Sequence, residues 1–171
     1  MEFKKKKLKG KKKKVLITSF VHFHPAYPYA NCIIGKYIEE YYDSELIGFC
    51  DSYDYLSEVI MRSFGIKKFY YLYEKNFFTR TYYFLLAIKI LRNIKNINEF
   101  IKFEYNKIDL GKIVYDDVLR RTGHPTLNKI SFMLIYHLSQ ALNKSDQYNK
   151  ILKKISLDSI VQSETQFIPS A

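Results

Sequence analysis

The sequence predicts an α/β protein: a Rossmann-like, doubly wound parallel sheet of about four strands with helices on both faces. Three observations carry that prediction. Short β-rich runs alternate with segments of helical spacing from Val15 onward, a pattern solved by parallel strands joined through right-handed helical crossovers. The 171 residues fit one ordinary domain with a real core. After a series of helices, a last apolar run at Ser159 to Ser163 supplies a fourth strand.

Val15-Leu16-Ile17-Thr18-Ser19-Phe20 is the first β-rich run. From Ala30 to Tyr42 the spacing becomes helical, with Ala30, Ile34, Tyr37, Ile38 and Tyr41 on one face and Lys36, Glu39, Glu40 and Asp43 opposite. The apolar face is expected against the sheet. Glu45 to Cys50 is the second run, closed by Asp51; a short helix around Tyr55 to Phe64 leads to a third run at Lys68 to Leu72. A longer helix, about Phe78 to Ile97, carries Arg80, Lys89, Arg92 and Lys95 on its wet side and is expected to cover the sheet. Asn106 to Gly111 reads as a turn region, Ile113 to Arg121 as a short helix, and Gly123-His124-Pro125-Thr126 as a break. In the following helix Leu127, Ile130, Leu134, Leu138 and Ala141 form the buried stripe, and Asn143 to Asn149 is the most linker-like stretch. Phe167 to Ala171 resembles the opening of another helix, since proline is favoured in a first turn. The domain, spanning residues 15–171, therefore reads as incomplete and truncated at its C-terminus.

Charge is concentrated at one end. Lys+Arg number 28 against 17 Asp+Glu, but Lys4, Lys5, Lys6, Lys7, Lys9, Lys11, Lys12, Lys13 and Lys14 supply nine of those cations. Without them and Glu2 the body holds 19 against 16, a net of +3. Residues 1–14 are thus expected to be a disordered arm whose field attracts polyanions, either an anionic membrane surface or nucleic acid. The body's richness in Lys, Asn, Ile, Tyr and Phe, residues of AT-rich codons, discounts nucleic acid. Cys32 and Cys50 form no Cys-x-x-Cys pair and read as buried free thiols in a reducing compartment. Thr81 to Ile88, closed off by Arg80 and Lys89, falls far short of the roughly 20 apolar residues of a membrane-spanning helix. Val15 to Val21 runs into His22, His24 and Pro25 without a cleavage site, so a cytoplasmic protein, peripheral at the inner membrane face, is expected.

In a doubly wound sheet ligands sit beyond the carboxyl ends of the strands, where connection direction reverses. Here that places the crevice beside strands one and four, with His22 and His24 in one loop and Ser163, Glu164 and Thr165 in the other. The imidazoles suit proton transfer or substrate contact, and Glu164 suits a general base; a metal site would need a third ligand that the sequence does not identify. Both features also read as ordinary solvated loop residues. Ser19-Phe20-Val21-His22 stands where a glycine-rich dinucleotide turn would be, no phosphate loop occurs, and no cofactor is predicted. Asp116 and Asp117, adjacent on a helix, point about 100° apart and read as a solvated pair rather than an acid/base couple. Tyr115, Asp116, Arg120 and Arg121 concentrate polar function in one turn; an Asp116–Arg120 ion pair at i,i+4 is the plain reading and anion recognition the functional one.

The stretch from Gly111 to Thr126, with Tyr115-Asp116, Leu119-Arg120 and a Gly123-His124-Pro125-Thr126 turn, resembles segments of bacterial capsule and surface-polysaccharide biosynthesis proteins. Those proteins resemble glycosyltransferases with two Rossmann-like domains (GT-B-like). Phe103 to Ile108, Ser63 to Phe69 and Ser163-Glu164-Thr165 look like further family segments, in order along residues 14–171; Lys112 stands where an acidic or small residue is expected, and Glu164 where histidine is. The resemblance implies an acceptor-side N-terminal domain, inactive alone, with the nucleotide-sugar donor held by a missing C-terminal domain or partner chain. The loops after strands one and four and the Tyr115 to Arg121 helix would line the acceptor cleft. The alternative from another class is a noncatalytic basic nucleic-acid-binding module, its arm on phosphates and its tyrosines stacked on bases.

Overall fold

The computed structural model describes residues 12–20, 24–73, 76–123, 125–127 and 129–162. Where the sequence suggests one compact domain, the chain divides into two units, one up to Tyr73 together with the segment from Ile151, the other from Glu74 to Lys150. The physical reason is a second apolar core, built from the helical segment alone around Phe100, Val114, Leu134 and Leu138.

The first unit is a Rossmann-like α/β layer. Strands β1 (Lys13–Ser19), β2 (Ser44–Asp51), β3 (Lys68–Leu72) and β4 (Ser159–Val161) are all parallel in the order β3-β2-β1-β4. Helices α1 (Ala26–Tyr42) and α2 (Tyr55–Ser63) make the first two crossovers, and Cys32 and Met61 from them pack with Val15, Ile17, Leu46 and Ile66. Side chains alternate across a strand. Leu16, Ile47 and Phe49, which point to the opposite face, are also fully buried, as strands of a parallel sheet require.

Two details depart from the sequence reading. The face of α1 that packs inward is Pro28, Asn31, Cys32 and Gly35, while Ile34, Tyr37 and Tyr41 are exposed. Gly35 explains the choice, because a Cβ there would lie 2.6 Å from Ile17 Cδ1. The helix seats its small residues so closely on β1 that the bulky apolar face cannot take their place, and Tyr37 and Tyr41 stack on each other outside at 5.4 Å. Second, the lysine arm gives way to strand earlier than residue 15. Lys13 and Lys14 pair with Ser44 and Glu45, and the Lys14 N–H donates to the Asp158 carboxylate at 2.8 Å. Lys12 faces Asp43 at 3.7 Å. The backbone does not sense the side-chain charge that suggested an arm, and neighbouring carboxylates offset it. Lys4, Lys5, Lys6, Lys7, Lys9 and Lys11 lie outside the described residues.

The second unit consists of α3 (Phe77–Arg92), α4 (Ile97–Ile101), α5 (Leu110–Thr122) and α6 (Phe132–Lys154), the last turn of α6 running into the α/β unit. The helix expected to continue to Ile97 stops at Arg92 because Asn96 starts a new one, its side chain accepting the Glu99 N–H at 2.9 Å. Helix α5 closes at Gly123, left-handed at φ 66°. The expected linker at Asn143 to Asn149 is instead the middle of α6, with Asn143, Ser145 and Gln147 buried. Its polar side chains find partners within the unit: Gln147 donates to Asn143 at 3.3 Å, and Asp146 accepts from Tyr83 at 2.7 Å and from Tyr105 at 3.1 Å. Polar composition marks a linker only where such partners are missing.

Candidate functional site

From β1 the strands are added outward through β2 to β3, and the chain then returns to place β4 on the other side of β1, so the carboxyl end of β1 is the place where the topology leaves room for a ligand. The residues gathered there are polar and almost wholly buried. Asn31 is 2% exposed, and Thr18, Ser19, Asp51, Asp54 and Ser57 are buried with it. Asn31, on the first turns of α1, donates to the Thr18 carbonyl at 2.8 Å, and its Oδ1 has no hydrogen-bond partner among the described residues. Thr18 donates to the Val161 carbonyl at 3.3 Å, which ties β1 to β4 at the switch point. Ser19 and Ser57 share a hydrogen bond of 2.8 Å.

The turn after β2 supplies the carboxylates. Asp51 ends the strand and Asp54 caps α2, its Oδ1 accepting the Ser57 N–H at 3.2 Å. Backbone bonds from Asp54 N to Asp51 O at 3.0 Å and from Ser52 N to Leu72 O at 2.9 Å hold this turn in shape. The electrostatic sign is legible in a neighbour. Burial, reinforced by the charges of Asp54, Glu58 and Asp51, pushes the Cys50 thiol up to about 12. With Asn31 and the two serines, these carboxylates make the edge rich in hydrogen-bond acceptors. Such acceptors suit the hydroxyl donors of a neutral ligand.

Of the residues singled out from the sequence, His24 is exposed just before α1, its ring 6.0 Å from that of Tyr27. His22, Ser163, Glu164 and Thr165 lie outside the described residues. Tyr115, Asp116, Arg120 and Arg121 belong to α5, in the helical unit. There Tyr115 is half-buried, with the Leu127 N–H 3.5 Å from its hydroxyl, and Asp116 is exposed.

The reading of Asp116 and Asp117 as a solvated pair is corrected for the second of them. Asp117 is buried; its carboxylate accepts from His137 Nδ1 at 2.9 Å and from Arg121 Nε at 3.0 Å. Burial alone would raise the Asp117 carboxyl, but these two hydrogen bonds and the accompanying charges outweigh it and hold the group below its ordinary value. The helical period explains the difference, since Asp117 turns inward beside Val114 and Val118. Arg121 therefore has a structural partner at i,i+4, one position on from the pair expected.

Sequence reasoning passed over Asn31, Asp51, Asp54 and Ser57. A signal was present: an aspartate three residues before a serine at the start of a helical segment is an N-cap pattern, placed directly after a strand. Among the described residues no group of three or more His, Cys, Asp or Glu side chains could hold a metal ion. A small cleft of about 100 Å³, lined by Lys12, Lys14, Ser156 and Asp158, lies at the amino end of β1, away from this edge.

Fold and site together define a Rossmann-like α/β protein with an acidic, hydroxyl-lined strand edge. In comparisons with known proteins, no family model matches the chain, and no curated protein or solved structure matches it. No described helix is long and apolar enough to cross a membrane.

Proposed function

We propose that this chain is the acceptor-side part of a sugar transferase of surface-glycan assembly, and that the carboxyl edge of β1 and β2 takes a neutral, hydroxyl-rich segment of the acceptor. The observation that carries the reading is the buried cluster of Ser19, Asn31, Asp51, Asp54 and Ser57 at the carboxyl ends of β1 and β2, next to the topological switch point. Sugar hydroxyls are donors in need of acceptors, and carboxylate, amide and serine oxygens meet that need. The resemblance of Gly111 to Thr126 to capsule-biosynthesis proteins supports the same class. The phosphate-bearing nucleotide-sugar donor then belongs on another domain or a partner chain, and this chain is inactive alone. The lysine arm supplies attraction to an anionic membrane surface, where lipid-linked acceptors reside.

Saturation-transfer NMR with neutral oligosaccharides tests the reading. The full chain should give a signal that Asp51→Asn and Ser57→Ala each reduce while the far-UV spectrum stays unchanged. An undiminished signal in both variants, or binding only to RNA, would refute it.

A further inference from the structure

We propose that the outer face of α3 is a docking surface for an anionic lipid bilayer, with Phe77, Phe78, Tyr82 and Leu85 entering its interfacial layer. These side chains are 77%, 80%, 60% and 59% exposed. Large aromatics held this far into water, and grouped on one surface, mark an interaction site. Phe78, Tyr82, Leu85, Lys89 and Arg92 recur at helical spacing along one side of α3. That side is apolar in its first half and cationic in its second, so the exposed aromatics can enter the headgroup layer while Lys89 and Arg92 attract its phosphates. The apolar area extends beyond α3, since the ring of Phe84 packs 5.9 Å from that of Phe132, itself exposed at the start of α6.

Charge selects the occupant. Residues 77–92 contain Arg80, Lys89 and Arg92 and no carboxylate, and residues 74–150 hold 13 Lys and Arg against 7 Asp and Glu, a net of +6. The α/β unit, residues 1–73 with 151–165, holds 15 against 10, and nine of those cations fall in residues 1–14. The positive charge of the helical unit is thus spread along its helices and does not come from the lysine run of residues 1–14. The exposed tyrosines of α1 make the contrast: Glu39, Glu40 and Asp43 lie among them, so that face would be repelled by anionic headgroups. A second copy docking through α3 would set like cations against each other. Nucleic acid is best met by cations interleaved with aromatics along a groove, whereas here the two are segregated and Leu85 stands at the centre. Because no described helix can span a bilayer, the contact is interfacial. The inference rests on exposure and charge and is independent of the glycan site.

The test uses the full chain and co-sedimentation with vesicles of phosphatidylcholine mixed with phosphatidylglycerol, against vesicles of phosphatidylcholine alone. Salt screens the charge of the lysine run in residues 1–14 but leaves apolar insertion intact. At raised salt the variant Phe77→Ser/Phe78→Ser/Leu85→Ser should partition on the order of 10-fold less than the parent chain, with an unchanged unfolding transition. In parallel, Phe78→Trp in a chain that has no tryptophan should shift its emission to the blue when phosphatidylglycerol vesicles are added. Equal partitioning of parent and triple variant overturns the proposal. So does a Phe78→Trp emission that vesicles leave unmoved, or a loss in the variant that affects only RNA binding or self-association.

Discussion

Replacing Asp117 by alanine removes a carboxylate that joins α5 to α6, and the structure sets the size of the effect. His137 and Asp117 are both buried, their side chains 8% and 6% exposed, and meet at 2.9 Å. Removing one partner of a buried hydrogen bond leaves the other unsatisfied and out of water, at about 1–3 kcal/mol. Arg121 adds little, since its side chain is 38% exposed and such pairs contribute about 0–1 kcal/mol. Asp117→Ala should therefore lose about 1–3 kcal/mol, and Asp117→Asn, which keeps an acceptor of the same shape, less than Asp117→Ala. The assay is urea unfolding of the full chain near neutral pH, followed by far-UV circular dichroism. The direction with pH is fixed as well. The folded carboxyl titrates below its ordinary value, so its contribution is present above the unfolded value of about 3.9 and is lost as pH falls through the folded value. Acidification should then cost the parent chain more stability than Asp117→Asn. An Asp117→Ala chain within about 0.5 kcal/mol of the parent, the size of an ordinary surface substitution, would refute the reasoning.

Two further substitutions and a labelling experiment probe the packing. A Cβ on Gly111 would lie 1.8 Å from the Phe100 carbonyl oxygen, a backbone atom that cannot swing aside, so Gly111→Ala should lower the unfolding free energy from urea titration by about 1–3 kcal/mol or more despite the roughly 1 kcal/mol helix preference for alanine. Gly65→Ala meets open space but sits at φ +81°, so it should cost only about 1–2 kcal/mol; a larger loss than for Gly111→Ala would contradict the assignment. Burial pushes the Cys32 thiol up to about 11 and, with nearby carboxylates, that of Cys50 to about 12. Both should resist alkylation in the native chain and react on unfolding; fast native labelling of either would show that the sheet's packing is misjudged.

The parallel sheet was legible because its signal is redundant. Four apolar runs separated by helical periods leave few alternatives, and β3 falls at Lys68–Leu72, the span read from the sequence. The face of α1 was not legible, since hydrophobicity pointed to Ile34, Tyr37 and Tyr41 while the close approach at Gly35 decided the packing. The middle of α6 misled for a related reason. Asn143 to Asn149 is polar in composition, yet Tyr83, Tyr105 and Asn106, far away in sequence, bond to Asp146. For the site, the topological argument pointed to the loops after strands one and four, whose residues lie largely outside those described, whereas the Asp54 cap with Ser57 beside β2 could have been found from local pattern. The bond between Asp117 and His137 joins different helices, and no local pattern announces it.

The account's central claim is that the carboxyl edge of β1 and β2 binds a neutral, hydroxyl-rich ligand. Amide chemical-shift mapping of the full chain, titrated with a neutral oligosaccharide and with its phosphorylated counterpart, tests it most directly. The account predicts saturable shifts at Ser19, Asn31, Asp51 and Ser57, larger for the neutral ligand. Shifts that spare all four residues, or a preference for the phosphorylated sugar, would contradict it.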